Sequence, residues 1–212
     1  MMKKRVHLLC SQRNIPNRLL QKKVNEDWIG VDRGTLVLLQ SKIQPVYAVG
    51  DFDSVTIEEK QWIEARMNIE TMPKEKDVTD LAYAVQKALE MGYKKIKIYG
   101  ATGGRLDHFM GAMQLLKHAD FKDKKIQLID QRNVIELLTP GTYTKHVKRR
   151  YPYISFIPAT DYATLSLKAF KYELDNKHLE QGATLTISNE FKDNDAEILL
   201  HEGMLYQIRS KD

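Results

Sequence analysis

Two carboxylates, Asp51 and Asp53, stand two residues apart in "AVGDFDSV" (48–55), directly after an apolar run. Aspartate is a poor strand former, and like charges this close repel each other unless a cation lies between them. Carboxylate oxygens suit Mg²⁺, which usually takes one or two of them together with phosphate oxygens. The spacing therefore favours a magnesium site, while the alternative is that Ser54 or Asp53 only caps the following helix.

A second group of charged residues, "KEKDVTD" (74–80), precedes the most regular helical pattern of the chain. Asp77 and Asp80 fall near the N-terminus of that helix, where acidic residues are common without any function. Lys74 and Lys76 give the same loop a mixed charge. Such a loop suits a metal–polyphosphate complex, with aspartate on the metal and lysine on phosphate oxygens.

Glycines are concentrated in a third segment, "GATGGRLDH" (100–108), between a predicted strand and a predicted helix. Glycines in this position expose backbone N–H groups to an anion, although the alternative is a plain glycine-rich turn. The segment is not a Walker A loop, because no Lys-Ser or Lys-Thr follows the glycines. Arg105 can stabilise charge on a transferring phosphoryl group. His108, beside Asp107, fits a structural hydrogen bond better than general-base catalysis.

The elements that must position these residues alternate over the first part of the chain. Short apolar runs predict strands at 5–10, 27–32, 45–50, 68–73, 94–100 and 124–130. Helical patterns lie between them, so we expect a mainly parallel, three-layer α/β/α domain over residues 1–130. Ligands of such sheets bind at the carboxyl ends of the strands, where Asp32, Arg33 and Gly50 also fall.

After Asp130 the pattern changes to short runs divided by turn residues, and several runs alternate apolar and polar residues. Strands are predicted at 133–138, 141–147, 151–158, 163–170, 183–189, 196–203 and 204–210. No good helix is present. Residues 131–212 are therefore predicted to form a small antiparallel β-sandwich domain.

Composition narrows the class of protein. Cys10 is the only cysteine, which excludes an intrachain disulfide and a thiolate metal cage. No run approaches 18 consecutive apolar residues, so we expect no membrane span and a cytoplasmic enzyme. The net charge of +5 is mild, and "KHVKRR" (145–150) is interpreted as a solvated loop. A nucleic-acid-binding protein would show a basic stripe with interleaved aromatics, so no nucleic-acid partner is predicted.

Taken together, the three motifs indicate a Mg²⁺-dependent enzyme that acts on a polyphosphate, with a nucleotide as the preferred candidate. An alternative uses the same Asp-x-Asp pattern: a nucleotide-sugar glycosyltransferase that holds a metal and a diphosphate. The residue chemistry alone does not name the acceptor.

The combined motifs, in this order and at these spacings, resemble bacterial thiamine pyrophosphokinases over nearly the whole chain. The matching segments are "GVDRGT" (30–35), "GDFDSV" (50–55), "KDVTDLAYAV" (76–85), "GATGGRLDH" (100–108), "ATLSLKAFKYELDN" (163–176) and "GATLTISNE" (182–190). The resemblance implies transfer of a pyrophosphoryl unit from ATP to the hydroxyl of thiamine, giving thiamine diphosphate and AMP. It also implies a homodimer with the thiamine site at the subunit interface.

The resemblance places the metal ligands on Asp51, Asp53 and Asp80, and Asp77 or Asp107 is expected to accept the hydroxyl proton. The predicted nucleotide-binding residues are Asp32, Arg33, Gly50, Lys76, Gly103, Gly104, Arg105 and His108. The predicted thiamine-binding residues are Tyr172, Ser188 and Asn189. An aromatic face suits a flat cation such as thiamine, although Tyr172 is equally explained as a plain strand residue.

Two segments depart from the family pattern. The first strand is followed by "CSQRNIPN" (10–17), where many members have a glycine-rich turn, and Ala112 stands where many members have an asparagine. No ligand contact is predicted at either place.

Overall fold

The computed structural model describes residues 5–72, 77–147 and 150–212. The chain forms two compact units: Met1–Leu115 with Lys124–Gln131, and Leu116–Asp123 with Arg132–Asp212. The chain passes from the first unit to the second for the last time between Gln131 and Arg132. The domain boundary predicted after residue 130 lies one residue before this point.

In the part of the chain that the structure describes, six strands form the sheet of the first unit. They are β1 (Val6–Leu9), β2 (Trp28–Val31), β3 (Tyr47–Gly50), β4 (Glu70–Thr71), β5 (Lys95–Tyr99) and β6 (Lys125–Ile129). Their order is β4-β3-β2-β1-β5-β6, and all neighbours are parallel. The chain runs outward from β1 to β4 and then returns to the other side of β1. The strand order therefore reverses between β1 and β5, and the loops that follow these strands share a crevice.

Among the described residues, five helices accompany this sheet. They are α1 (Leu19–Lys22), α2 (Arg33–Gln40), α3 (Ile57–Glu64), α4 (Asp80–Glu90) and α5 (Leu106–Lys117). The predicted capping box is present on α3, where Thr56 accepts from the Glu59 N–H and the Glu59 carboxylate accepts from the Thr56 N–H. Both α2 and α4 pack on β2. In the described ranges, none of the helices has the length and apolar character needed to cross a membrane.

The second unit is built from antiparallel strands. They are β7 (Asn133–Leu138), β8 (Gly141–His146), β9 (Tyr153–Lys168), β10 (Leu174–Glu180), β11 (Asn189–Glu190) and β12 (Asp195–Ser210). The two long strands, β9 and β12, pair with each other, and the register shifts near Gly203. One half of β12 pairs with β8 and the other half with β7, while β9 pairs with β10 and β11 at opposite ends.

The two halves of the long strands thus belong to two layers, and the core of the second unit takes residues from both. Phe156 of one half and Leu165 of the other half are fully buried in the same apolar cluster. Phe156 meets Phe170 edge to face, with ring centroids 5.9 Å apart. The predicted fold class, an α/β domain followed by an antiparallel β-sandwich, is confirmed.

Several predicted strands of the second unit have different bounds. The single strand β9 covers most of the runs 151–158 and 163–170, and β12 covers 196–203 and 204–210, because bulges bend these strands without ending them. The prediction of a strand over 183–189 is wrong except at its last residue. Residues 185–188 form a turn that buries Thr186, whose hydroxyl donates to Phe156 O. Strand β10 was not predicted, because "LDNKHLE" is mostly polar.

Candidate active site

Three aspartates converge at the carboxyl end of the sheet in the first unit. Asp32 follows β2, Asp51 follows β3 and Asp80 opens α4, and one carboxylate oxygen of each lies within 4.8 Å of the other two. They meet because β2 and β3 are neighbours and α4 packs on both strands. The Thr79 hydroxyl caps α4 by accepting from Ala82 N at 3.2 Å, which fixes the start of the helix at Asp80.

The backbone around Gly50 is shaped to accept the Asp32 side chain. A Cβ at position 50 would lie 1.9 Å from Asp32 Oδ1, so only glycine leaves this space open. The same oxygen accepts a hydrogen bond from Phe52 N at 3.3 Å. Phe52 has a positive φ of 58°, and its side chain is buried against Leu36 and Ile63. The loop therefore turns Phe52 into the core and leaves Asp51 at the cluster.

The electrostatics of this cluster favour a cation. Burial, together with the charges of Asp80 and Asp51, raises the pKa of the Asp32 carboxyl to about 7. A divalent cation between the carboxylates would remove both the repulsion and the cost of burying negative charge. The donor atoms are all hard oxygens, so the residues fit Mg²⁺.

The other predicted acidic residues lie around this cluster and not within it. Asp53 is exposed, its N–H donates to Asp51 Oδ1 at 3.0 Å, and its charge acts on Arg105. Asp77 is exposed three residues before α4. The predicted positions of Lys74 and Lys76 lie outside the described residues. The structure thus groups Asp51 and Asp80 with Asp32, which was predicted as a nucleotide-binding residue; the metal role of Asp53 stays a prediction.

The predicted nucleotide-binding residue Arg33 is engaged with protein groups. Its guanidinium donates to both oxygens of Glu59 at 3.2 Å and to Ser54 O at 2.8 Å. Its backbone N–H donates to Ser54 Oγ at 3.2 Å. Arg33 therefore ties the start of α2 to the loop that carries Asp51.

The glycine-rich turn between β5 and α5 holds a charged pair. Arg105 donates to both oxygens of Asp107, at 3.1 Å and 2.5 Å, and both side chains are exposed. These hydrogen bonds hold the pKa of Asp107 below its usual range. The backbone N–H of His108 also donates to Asp107, at 2.9 Å. Gly103 and Gly104 precede this pair, and Gly103 has a positive φ of 76°.

The predicted thiamine-binding residues lie together in the second unit. The side-chain amide of Asn189 accepts from Tyr172 N at 3.1 Å and donates to Tyr172 O at 2.8 Å, while Asn189 itself is buried. The Tyr172 side chain is 58% exposed. Ser188 is exposed, and its N–H donates to Ser155 Oγ at 2.9 Å. Asn189 therefore fixes the backbone that presents the Tyr172 ring.

The sequence predicts no ligand contact in the loop after β1, because "CSQRNIPN" (10–17) departs from the glycine-rich turn of the family. In the structure Ser11, Arg13 and Asn14 lie against the glycine-rich turn. The two loops meet because β1 lies beside β5 in the sheet. Strand order is set by tertiary structure, so the sequence pattern alone does not predict this contact. Ala112, the second departure, is buried in α5 and offers no polar group.

Clustered carboxylates and a glycine-rich helix start, both at the carboxyl ends of a parallel sheet, define an α/β enzyme that handles phosphate groups. Comparison with known proteins identifies the family. Residues 20–128 match the model of the thiamin pyrophosphokinase catalytic domain, and residues 142–205 match that of the thiamin pyrophosphokinase vitamin B1 binding domain. The chain therefore belongs to the thiamin pyrophosphokinase family.

Individual relatives agree with this assignment. The thiamine pyrophosphokinase of Bacillus subtilis (strain 168) is 46% identical over 187 residues, which are 87% of this chain and 87% of that protein. A solved structure of thiamine pyrophosphokinase from Bacillus subtilis matches with a TM-score of 0.90 at 41% identity, covering 99% of this chain and 100% of that chain. Thiamin pyrophosphokinase from Geobacillus thermodenitrificans matches with a TM-score of 0.87 at 38% identity, covering 98% of each chain.

The family predicted from the motifs is thereby confirmed, as is the class of enzyme, a transferase of the kinase type. The alternative of a nucleotide-sugar glycosyltransferase is not supported, because the two family models account for both halves of the chain.

Proposed function

We propose that this chain transfers the pyrophosphoryl group of ATP to the hydroxyl of thiamine, giving thiamine diphosphate and AMP. The observation that carries the proposal is the carboxylate cluster of Asp32, Asp51 and Asp80, in a chain that belongs to this family. The cluster lies at the sheet end where α/β proteins bind nucleotides. The glycine-rich turn after β5 lies at the same end.

Mg²⁺ is the cation we propose for the carboxylates. Asp51 and Asp80 belong both to the ligand set predicted from the family resemblance and to the cluster of the structure. The third ligand in the set predicted from the resemblance is Asp53, two residues after Asp51. The third carboxylate in the cluster of the structure is Asp32. When bound, the cation neutralises charge on the triphosphate and on the leaving AMP.

The residues of the chain would position the reactants and stabilise charge. The thiamine hydroxyl oxygen forms a bond to the β-phosphorus of ATP while the bond from that phosphorus to the α-phosphate oxygen breaks, and AMP leaves with that oxygen. Gly103 and Gly104 offer backbone N–H groups to the transferring phosphates, and Arg105 offers its guanidinium. His108, at the start of α5, belongs to the same proposed nucleotide site.

The hydroxyl proton must pass to a carboxylate, and Asp77 and Asp107 are the two candidates. In the structure Arg105 binds Asp107 and lowers its pKa, which weakens it as a base. If Arg105 turns from Asp107 to the phosphates, Asp107 regains its basicity when the nucleotide is in place. Asp77, exposed before α4, is the other candidate.

Thiamine is proposed to stack on Tyr172, with Ser188 and Asn189 beside it. A flat cation gains from an exposed aromatic face, and Asn189 holds that face in place. The same unit exposes Leu185 by 60% and Ile187 by 44%. Large apolar side chains exposed near each other mark interaction surfaces, which supports the predicted homodimer with the thiamine site at its interface.

The reaction is tested by incubating the protein with ATP and Mg²⁺, with and without thiamine, and resolving the products by chromatography. Thiamine-dependent AMP together with thiamine diphosphate is the expected result. Release of AMP in the absence of thiamine would support the nucleotide site but reject thiamine as the acceptor. No turnover with any divalent metal would reject the proposed activity. Light scattering of the purified protein measures the oligomeric state. The cytoplasmic location stays a prediction.

A further inference from the structure

The loop after β1, residues 10–14, lies against the glycine-rich turn after β5. The Ser11 hydroxyl donates to Gly100 O at 2.8 Å, and a Cβ at position 100 would lie 2.1 Å from Ser11 O. Asn14 Nδ2 donates to Thr102 Oγ1 at 3.4 Å, and the Thr102 hydroxyl in turn donates to the buried Asp130. These contacts hold the two loops together where the strand order reverses.

Within this pair of loops, Arg13 reaches the glycine that precedes Arg105. A Cβ at position 104 would lie 2.4 Å from Arg13 Nη1, so the guanidinium lies directly against the Gly104 backbone. Glycine at position 104 is therefore what allows Arg13 to occupy this place. A side chain there would displace the guanidinium.

The charge of Arg13 is not neutralised by any of the residues that the structure describes. Arg33 is paired with Glu59 and Arg105 with Asp107. Across residues 5–72, 77–147 and 150–212, no carboxylate forms an ion pair with Arg13, and its side chain is exposed. An unpaired guanidinium beside a glycine-rich helix start suits a phosphate group, which its planar donors can bind in pairs.

We propose that Arg13 is a phosphate-binding residue whose guanidinium contacts the triphosphate of the nucleotide at the glycine-rich turn. The inference rests on the proposed function for the identity of the ligand. It adds a charged side chain from the loop after β1, for which the sequence predicted no contact. The role concerns binding, so its loss acts on the affinity for ATP more than on the rate of the bound complex.

The test compares Arg13→Gln with Arg18→Gln, a matched change five residues further along the same segment. Calorimetric titration measures binding of Mg²⁺·ATP, of inorganic tripolyphosphate and of adenosine, all without thiamine. Arg13→Gln is expected to lower the affinity for Mg²⁺·ATP and for tripolyphosphate by about tenfold or more, which is the loss typical of a charge-assisted hydrogen bond. Adenosine binding should not change, because adenosine has no phosphate, and Arg18→Gln should match the wild type throughout.

Gly104→Ala gives an independent route to the same result. Its Cβ displaces the Arg13 guanidinium, so Arg13→Gln should cause no further loss of Mg²⁺·ATP affinity in the Gly104→Ala protein. Thermal unfolding of each variant checks the fold, which an exposed arginine should not alter. Wild-type affinity for Mg²⁺·ATP in Arg13→Gln, or an equal loss for adenosine, would overturn the role of Arg13.

The same titrations separate this inference from the proposed function. An Arg13-dependent affinity for Mg²⁺·ATP in a protein that makes no thiamine diphosphate would reject the acceptor and support Arg13. Normal synthesis of thiamine diphosphate with unchanged ATP binding in Arg13→Gln would support the reaction and reject Arg13. A wild-type protein that binds no Mg²⁺·ATP would reject both.

Discussion

The Arg33 guanidinium forms two parallel hydrogen bonds with the Glu59 carboxylate, each 3.2 Å long. Glu59 also completes the capping box of α3 by accepting from Thr56 N at 2.9 Å. The pair joins the first residue of α2 to the first turn of α3, across the loop that carries Asp51. We therefore propose that Arg33 positions the loop of the carboxylate cluster, while its role as a nucleotide ligand stays a prediction.

This relationship predicts that Arg33→Gln and Glu59→Gln have the same effect on activity. Each change should lower kcat/KM by about tenfold, because a small displacement of Asp51 misplaces the reactants. The free energy of unfolding should fall by only about 1 kcal/mol or less, since the pair is partly exposed. Steady-state kinetics and urea unfolding of both variants provide the measurement.

The double variant separates positioning from direct binding. If the two residues act as one unit, Arg33→Gln/Glu59→Gln should be no worse than either single change. A Glu59→Gln protein with normal kinetics beside an Arg33→Gln protein with a raised KM for ATP would instead make Arg33 a nucleotide ligand.

The first unit was largely predictable, because each motif follows a strand and the strand and helix patterns are regular. The meeting of Asp32 with Asp51 was not, since it depends on β2 lying beside β3. Periodicity identifies a strand but does not name its neighbours. The contact of Arg13 with Gly104 has the same origin, because it requires β1 to lie beside β5.

The second unit was predicted less well, for reasons visible in two segments. The run "ATLTISN" alternates as a strand does, yet the structure buries Thr186 and exposes Leu185 and Ile187. Apolar residues are usually buried and polar residues exposed, and this segment does the opposite. A prediction that assigns alternating apolar residues to a buried strand face therefore fails here. Conversely, β10 is mostly exposed, so its sequence lacks the apolar alternation that predicts a strand.

The carboxylate cluster predicts a graded response to aspartate-to-asparagine changes. Asp51→Asn and Asp80→Asn should each lower kcat on the order of 100-fold or more, because both belong to each proposed ligand set. Asp32→Asn and Asp53→Asn identify the third ligand. Replacing the residue that binds the metal should also raise the Mg²⁺ concentration needed for half-maximal activity, whereas replacing the other should not. Magnesium titrations of initial rates provide the measurement, and near-normal activity in Asp51→Asn would reject the metal site.

The exposed ring of Tyr172 predicts a specific defect in thiamine binding. Tyr172→Ala should raise the KM for thiamine by about tenfold, because stacking of a cation on an aromatic face is lost, and should leave the KM for ATP unchanged. Tyr172→Phe keeps the ring and serves as the control. Equal kinetics for Tyr172→Ala and the wild type would place thiamine elsewhere.

A buried histidine far from the proposed chemistry predicts how stability depends on pH. His7, in the middle of the sheet, is fully buried beside Trp28, with ring centroids 4.9 Å apart, and its Nε2 is hydrogen-bonded to Glu26. Burial, with smaller contributions from the charges of Lys23 and Lys97, lowers the pKa of His7 to about 4 against the opposing effect of Glu26. Its Nδ1 is buried without a hydrogen-bond partner among the described residues, which fits a neutral ring.

In the unfolded chain the histidine pKa is about 6.5, so between pH 6.5 and 4 the unfolded state binds a proton that the folded state excludes. The free energy of unfolding should therefore fall as the pH drops through this range, by up to about 3 kcal/mol for a shift of this size. His7→Phe, which keeps an aromatic ring in the core, should remove this dependence. Urea unfolding at pH 7, 5.5 and 4.5 measures it, and a wild-type slope retained in His7→Phe would assign the pH dependence to other groups.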